Sequence, residues 1–445
     1  MADIRPFRGV RYDRKIVGDL ANVVSAPYDI ISPPAQESYY ARSPHNVVRL
    51  EFGIEHPSDS VNDNRYTRAS TQYQAWRKTG ALLVEPRPTL YLYDETFVER
   101  GLSFTRRAIL APVRLARWDE NVVLPHEFTM SGPKIDRLNL LRATHTQFSP
   151  LLTMYEDSGE VRAIVADVTA VPPVAEFTLG PGFVAAAAAK HRVWCIDSPE
   201  ALTALQRAFE PLQIFIADGH HRYETALAYR DERRAAGASA EAASEFVLMS
   251  LVEMSDPGLL VLPTHRMLRG LGAIDTGRML TALGERFTIE AIPLAGRNVA
   301  ELVPPAATSD TSAKIEFVLL GIDPGVAHRL TLRSSIDLAQ ALPEVPKELR
   351  TLDTVILQRM IFAPLFGLTD HDAEAGEKIR YTRDPEDALR ALATGDSQLA
   401  FLLGGTSVAQ IRDAARAGHR MPQKSTYFYP KPVTGVVFFD HDIDA

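Results

Sequence analysis

The segment LQIFIADGHHRYETALAYRDERRAAG, residues 212–237, carries a strand, a turn and a helix in direct succession. LQIFIA (212–217) is a short apolar run without alternation, the pattern of a buried strand. Asp218-Gly219-His220-His221 is a turn, and Gly219 admits positive φ and close approach of a ligand to the backbone. HRYETALAYRDERRAAG (221–237) has helical periodicity, and Gly237 supplies the stop. Upstream, PEALTALQRAF (199–209) predicts another helix. Downstream, ASAEAAS (238–244) reads as a small-residue linker, and EFVLMSLVEM (245–254) and LLVLP (259–263) as two strands around SDPG.

The turn carries chemistry that a helix does not need. A helix N-terminus presents unpaired N–H groups and about half a positive charge. Arg222 and two histidines placed there oppose that field by about 0.3–1 kcal/mol per formal cation. A bound oxyanion removes the conflict, and phosphate is the usual occupant. Gly219, His220, His221 and Arg222 are therefore expected to hold phosphate. Asp218, at the strand end, is placed to hold a magnesium ion or to take a proton. The same residues also admit a purely structural reading. Asp218 can serve as a helix cap, the histidines can be neutral core or surface residues, and Arg222 can reach solvent along its own stem.

Beyond this segment, AILAPVRLARW (108–118) and FSPLLTMYED (148–157) read as strands. Between them, VVLPHEFTMSGPKIDRLNLLRATH (122–145) has loop signals at Pro125 and at Gly132–Pro133. Residues 158–195, with Pro172, Pro173, Pro181 and alanines at 185–189, read as a peripheral insertion. After residue 265 the pattern changes. TGRMLTALGERF predicts a helix, KIEFVLLGI (314–322) and HRLTLRS (328–334) paired strands, and residues 348–368 a long helix. PPAATSDTSA (304–313) reads as a solvent loop. The tail alternates through KIRYTRD, PEDALRALATG, SQLAFLLGG and SVAQIRDAARAG to MPQKSTYFYPKPVTGVVFF. The expected organisation is an α/β (α+β) chain with one domain over 1–265, the insertion included, and a second α+β domain over 266–445.

Composition narrows the function. The chain has 445 residues, 46% hydrophobic and 23% charged, which is ordinary for a globular protein. Its 48 basic and 56 acidic residues leave a net charge of −8, which counts against a nucleic-acid-coating protein. A single cysteine, Cys195, allows no intramolecular disulfide and fits a reducing cytoplasm. Its apolar setting, VWCI, reads as an inert buried thiol. The N-terminal residues lack a signal-peptide apolar run, and no stretch reaches the roughly 18 apolar residues of a membrane span. Localisation is expected to be cytoplasmic. There is no G-x-S-x-G elbow, no G-x-G-x-x-G after a strand, no P-loop and no HExxH helix.

Several further residues are candidates. Asp29, after Pro27-Tyr28, suits a general base for a substrate hydroxyl, or equally a turn or helix cap. Glu37 reads as a helix-surface carboxylate. His126-Glu127 with Thr129, and Lys134 with Asp136-Arg137, form a charged loop that suits either a site or a structural ion pair. Thr264-His265-Arg266 follows the strand LLVLP, where it can line a cleft or mark a solvated boundary. Lys424-Ser425-Thr426 with Lys431 reads as a phosphate-contacting turn. Tyr427, Phe428 and Tyr429 beside it suit core packing, with base stacking as the other role. Gly404-Gly405-Thr406-Ser407 reads as a turn with a Ser/Thr cap.

ADGHHRYETAL resembles the hallmark of an uncharacterised bacterial family, domain-of-unknown-function family 1015. IRPFRGVRY (4–12), SAPYDIIS (25–32), HNVVRLEFG (45–53), PHEFT with Asp136-Arg137, DPGLLVLPTHR (256–266) and MPQKSTYFYPK (421–431) are similar to its other blocks. A strand followed by D-G-H-H-R and a helix is also similar to the ParB/sulfiredoxin superfamily. There a Gly-X-[His/Arg]-Arg turn binds nucleotide phosphates, and some members are free serine kinases. The resemblance implies phosphate binding by Gly219, His220, His221 and Arg222, with Asp218 as the acid before them. With it come ATP or another nucleotide as the expected ligand and Mg2+ as the expected metal, at Asp218. Sulfiredoxins need a cysteine in this turn; histidine stands there in this chain, against sulfinic-acid repair.

The function expected from these readings is nucleotide-dependent phosphoryl transfer to a small hydroxylated metabolite such as free serine. Asp218, Asp29 and His221 are the catalytic candidates. His126, Glu127, Arg137 and Lys424 are the candidates to contact substrate or neutralise charge. The alternatives are a ParB-like nucleotide switch without turnover, and a phosphatase or nucleotide hydrolase. Nucleotide and small molecule are the expected partners, rather than nucleic acid or membrane.

Overall fold

Strand Ile214–Asp218 forms because its residues are apolar on both faces, and both faces are covered. It sits in an eight-stranded mixed sheet. The spatial order is Val123–Leu124, Ile214–Asp218, Leu151–Tyr155, Phe246–Glu253, Leu102–Arg114, Leu90–Glu99, Ala189–Ile196, Ala175–Leu179. Ile214–Asp218 runs parallel to Val123–Leu124 and antiparallel to Leu151–Tyr155. Residues alternate between two cores: Leu90 and Leu92 pack with Phe209, Ile214 and Tyr223, whereas Tyr91 and Tyr93 pack with Phe7, Trp76 and Phe438. The computed structural model describes residues 1–129, 131–183, 187–306 and 314–443. Residues 184–186, which include the first two alanines of the 185–189 run, and most of the 304–313 loop (307–313) lie outside the described residues.

Helix Pro199–Phe209 has the bounds read from the sequence, and the structure adds that Ser198 caps it, with Pro199 in its first turn. Helix His220–Ala235 follows Gly219 directly, and Gly237 lies just beyond it at φ 94°. Three sequence readings need correction. Residues 158–195 are not a peripheral insertion: Ala189–Ile196 lies inside the sheet, its inward positions buried, and Ala175–Leu179 forms the edge. The loop signal at Gly132–Pro133 and the loop reading of Lys134 and Asp136-Arg137 do not hold, since Ser131–Thr144 is a helix with Pro133 in its first turn, where the missing N–H costs nothing. LLVLP yields a strand of two residues, Leu260–Val261, and Thr264-His265-Arg266 does not stand at its carboxyl end but leads into another strand, His265–Leu268.

The chain divides into two compact units. The first comprises Met1–Pro125, Thr129–Leu260 and Pro430–Ala445, and the second His126–Phe128 and Val261–Tyr429. Residues 430–445, at the end of the stretch assigned to the second domain, thus belong to the first unit. Val433, Val437, Phe438 and Phe439 are buried there, and Phe439–Asp440 pairs with Thr146–Gln147.

The second unit is built on a six-stranded antiparallel sheet. Its order is Phe287–Pro293, Val326–Leu332, Glu316–Leu320, Leu399–Leu403, His265–Leu268, Ile379–Thr382. Helix Pro385–Ala393 packs through Ala388 on the face that carries Val318, Ala400 and Leu402. The helical stretch Asp353–Phe366 covers the other, with Phe362 5.2 Å from Phe401 between ring centroids. Its middle, Leu357–Phe362, is π-helical. Helix Val408–Arg416 opens on Ser407, whose side chain accepts from the Gln410 N–H, so the glycine pair before it is a capped turn. No helix among the described residues is long and apolar enough to cross a membrane.

Candidate functional site

The strand–turn–helix junction is shaped by a bulge. Ile216 pairs with Thr153 and Asp218 with Leu152, so the register slips at Ala217 and the Asp218 side chain is re-aimed. Gly219 then turns the chain at φ 103°, and a Cβ there would lie 3.0 Å from Arg222 Nη2 and 3.1 Å from Leu151 Cγ. Glycine is required both by the backbone angle and by the guanidinium folded against it.

Asp218 is the centre of the cluster. Lys431 Nζ donates to its Oδ1 at 2.6 Å, and Arg222 Nη2 stands 3.6 Å from Oδ2. Burial would raise this carboxyl, but Lys431, Arg222 and His220 outweigh it and hold the carboxyl at about 2. Asp29 is an exposed residue of the short 3-10 turn Tyr28–Ile30. Its carboxyl is raised, first by desolvation and then by the charge of Asp218, against the pull of Lys431 and Arg222. Two carboxylates within electrostatic reach are thus driven in opposite directions. Such a pair separates roles: Asp218 stays ionised, and Asp29 is suited to proton transfer.

Arg222 extends the cluster inward. Its Nη1 donates to Ser149 Oγ at 3.1 Å and to Pro150 O at 2.9 Å. Ser149 Oγ donates onward to Glu51 Oε1 at 3.0 Å, and Glu51 stands 3.3 Å from Arg137 Nη1. Arg137 is buried, held also by Asp136 at 2.5 Å, with its guanidinium 4.1 Å from the centroid of the Tyr28 ring. A polar chain thus runs Arg222–Ser149–Glu51–Arg137 and returns through Tyr28 to Asp29. A cavity of about 60 Å³ lies along it, lined by Glu51, Arg137, Ser149 and Arg222.

The first turns of the helix meet Thr129 and the start of helix Ser131–Thr144. Glu224 accepts from Thr129 Oγ1 at 2.6 Å and Lys134 Nζ at 2.9 Å, and with His221 nearby its carboxyl is lowered. His220 is buried, and the His221 carbonyl accepts from Thr225 Oγ1 at 2.8 Å.

The other candidates fall elsewhere. His126 and Glu127 belong to the second unit, where both meet Thr426 Oγ1 at 3.1 Å. Lys424 is an exposed residue of that unit, at φ 59°. Arg266 is buried there, Phe428 and Tyr429 are core residues, and Tyr427 lies under Arg383 at 4.1 Å. Glu37 is an exposed residue of helix Pro33–Arg42. Cys195 has its thiol pushed up to about 11 by burial, as suits an inert side chain. Lys431, Ser149 and Glu51 complete the Asp218 cluster. Lys431 was visible as a basic residue beside the Lys-Ser-Thr motif; Ser149 and Glu51 carried no local signal.

Two expectations change with this geometry. The cations at the helix opening do not lack an internal counter-charge, because Asp218 itself answers Lys431 and Arg222. Asp218 also does not fit a magnesium ligand in this arrangement, since each of its oxygens already faces a cation. Among the described residues there is no group of three or more His, Cys, Asp or Glu positioned to hold a metal.

A family model matches residues 4–355. The chain belongs to the family described as Protein of unknown function (DUF1015). Within this DUF1015 chain the match includes Asp29, Glu51, Ser149 and the whole Asp218–Arg222 turn, and it ends before Lys431. No curated protein matches the chain. Among solved structures it is similar to a free serine kinase in complex with AMP, at 13% identity and TM-score 0.31, over 74% of this chain and 91% of that one. It is similar to a conserved hypothetical protein from Pyrococcus furiosus, at 13% identity and TM-score 0.32, over 75% and 96%. It is also similar to SbnI with C-terminal truncation from Staphylococcus aureus, at 11% identity and TM-score 0.32, over 72% and 82%.

Proposed function

We propose that this DUF1015 protein is a nucleotide-dependent phosphotransferase that uses ATP to phosphorylate a small hydroxylated metabolite, free serine being the first acceptor to test. The carrying observation is the Asp29–Asp218 pair at a glycine turn that opens a helix, in which Lys431 and Arg222 hold Asp218 ionised while desolvation and the charge of Asp218 raise Asp29. The donor phosphates sit at the first-turn N–H groups of helix His220–Ala235, with Gly219 leaving room for them. Lys431 and Arg222 are drawn from Asp218 onto the phosphate oxygens as the nucleotide enters. The acceptor hydroxyl oxygen forms a bond to the γ-phosphorus, the bond to the ADP oxygen breaks, and Asp29 takes the hydroxyl proton. Positioning and charge neutralisation supply most of such a rate. Asp218 is then a positioning residue for the two cations rather than the base.

The test mixes the purified protein with ATP, magnesium and single amino acids, and follows the products by phosphorus NMR. ADP formed only with an acceptor, together with a new phosphoester, supports the kinase. ADP without an acceptor turns the assignment to a hydrolase, and binding without turnover turns it to a nucleotide switch. Asp29→Asn is expected to keep ATP affinity by calorimetry and lose turnover by 100-fold or more, within the roughly 10²–10⁴ of general base catalysis. An active Asp29→Asn protein removes that residue from the mechanism. Arg222→Ala is expected to weaken ATP binding with the circular dichroism spectrum unchanged; unaltered affinity would remove the phosphate role.

A further inference from the structure

The second unit holds a cavity of about 330 Å³, built from its own residues, that the proposed reaction does not use. Val345, Leu349, Leu357 and Phe362 supply apolar lining, and the π-helical turn Leu357–Phe362 contributes to it. That volume suits a small organic molecule. Arg266 also lines the cavity and is only 5% exposed.

The charge of Arg266 is poorly answered by the protein. Its Nη1 donates to Thr264 O and its Nη2 to Lys424 O at 3.0 Å, and its guanidinium lies 5.5 Å from the Tyr381 ring centroid. These are neutral partners. Among the described residues no carboxylate stands in ion-pair contact with it. Among the described residues Asp353 is the carboxylate whose charge it senses, and burial pushes that carboxyl up to about 7, so it offsets Arg266 incompletely at neutral pH. The acids of the lining, Glu344 and Asp370, are exposed, and Asp370 is engaged by Arg359 at 2.8 Å. A buried cation without a counter-charge is costly, and a guanidinium has the planar donor fork that a carboxylate completes.

We propose that this cavity binds a small organic carboxylate with an apolar body, its carboxylate on Arg266 and its body against Val345, Leu349 and Phe362. Arg359 and Arg420 also line the cavity, but Arg359 is exposed and paired with Asp370 and Arg420 is not fully buried, so Arg266 is the buried guanidinium there, and a doubly charged phosphate, only half answered by it, fits less well.

Calorimetric titration of the full chain with hexanoate, phenylacetate and 1-hexanol tests this. Saturable binding of at least one carboxylate at a Kd of about 1 mM or tighter is expected. The alcohol, which keeps the body but not the charge, is expected to bind at least tenfold more weakly. Arg266→Gln should weaken carboxylate binding tenfold or more. Leu349→Trp, which fills the cavity and leaves Arg266 in place, should do the same; it decides the matter if Arg266→Gln does not fold. The comparison of acid with alcohol on the unaltered chain stands without any variant. No saturable carboxylate binding, alcohol binding as tight as acid, or unchanged binding by folded Leu349→Trp would overturn the proposal.

Discussion

Asp218 shows how one side chain ties stability to the candidate site. Its carboxyl lies at about 2 in the folded chain against an ordinary 3.8, so the unfolded chain binds its proton more readily. The stability this contributes is complete above about pH 4 and is lost as pH falls toward 2. Lys431→Met should therefore destabilise the protein by on the order of 2 kcal/mol at pH 7, with the gap closing in that acid window; urea titrations at stepped pH measure it. An equal loss at pH 7 and at pH 2 would show that packing, not charge, accounts for the effect. Gly219→Ala should cost about 1–2 kcal/mol from its positive φ alone. The added Cβ, 3.0 Å from Arg222 Nη2, should also displace the guanidinium and weaken ATP binding. Calorimetry and urea unfolding on one sample separate the two effects. Gly219 and Arg222 were legible in the sequence because a strand, a glycine and a misplaced cation lie within a few residues. That Asp218 answers the cation was not legible, because its main partner, Lys431, lies far along the chain.

At the level of elements, the site depends on segments meeting through short polar links. Ser149 precedes strand Leu151–Tyr155 and joins Arg222 of the helix to the buried Glu51 of Val48–Glu51. Ser149→Ala removes a donor to a buried carboxylate and should cost about 1–3 kcal/mol. It should also loosen Arg222, seen as weaker ATP binding with a largely preserved circular dichroism spectrum. Strand Ile214–Asp218 and helix His220–Ala235 could be read in advance because their apolar spacing is local and strong. Helix Ser131–Thr144 could not, since Gly132–Pro133 is a loop signal in isolation and is tolerated in a first turn. Strand Ala189–Ile196 was obscured by the prolines before it, and its place inside the sheet is set by pairing with Leu90–Glu99.

At the largest scale, the core of the first unit is completed by residues 433–440. Val437, Phe438 and Phe439 are buried in the first core, and Asp440 accepts from Tyr73 Oη at 2.8 Å and Arg77 Nη1 at 2.9 Å. Each large apolar side chain of this set contributes about 1.5–3 kcal/mol on burial. Their sum rivals the 5–15 kcal/mol by which a typical domain is stable, so a chain ending at Tyr429 should lose cooperative unfolding of the first unit, measurable by calorimetry. In the second unit, Asp353 lies at about 7 against an ordinary 3.8, so its folded form holds the proton and its penalty grows as pH rises from about 4 to 7. Asp353→Asn, which can still accept the Gly404 N–H, should therefore stabilise the protein at pH 8 and change it little at pH 4. The sequence by itself determined the α/β character, the strand–turn–helix over 212–237 and the cation cluster at its turn, because periodicity and helix-end electrostatics act over a few residues. Only the tertiary structure decided that Lys431 reaches Asp218, that Asp29 and Asp218 share one electrostatic field, and that Arg266 is buried beside a cavity. Those facts arise when distant segments close on one another, and the burial that shifts a charge exists only after that closure.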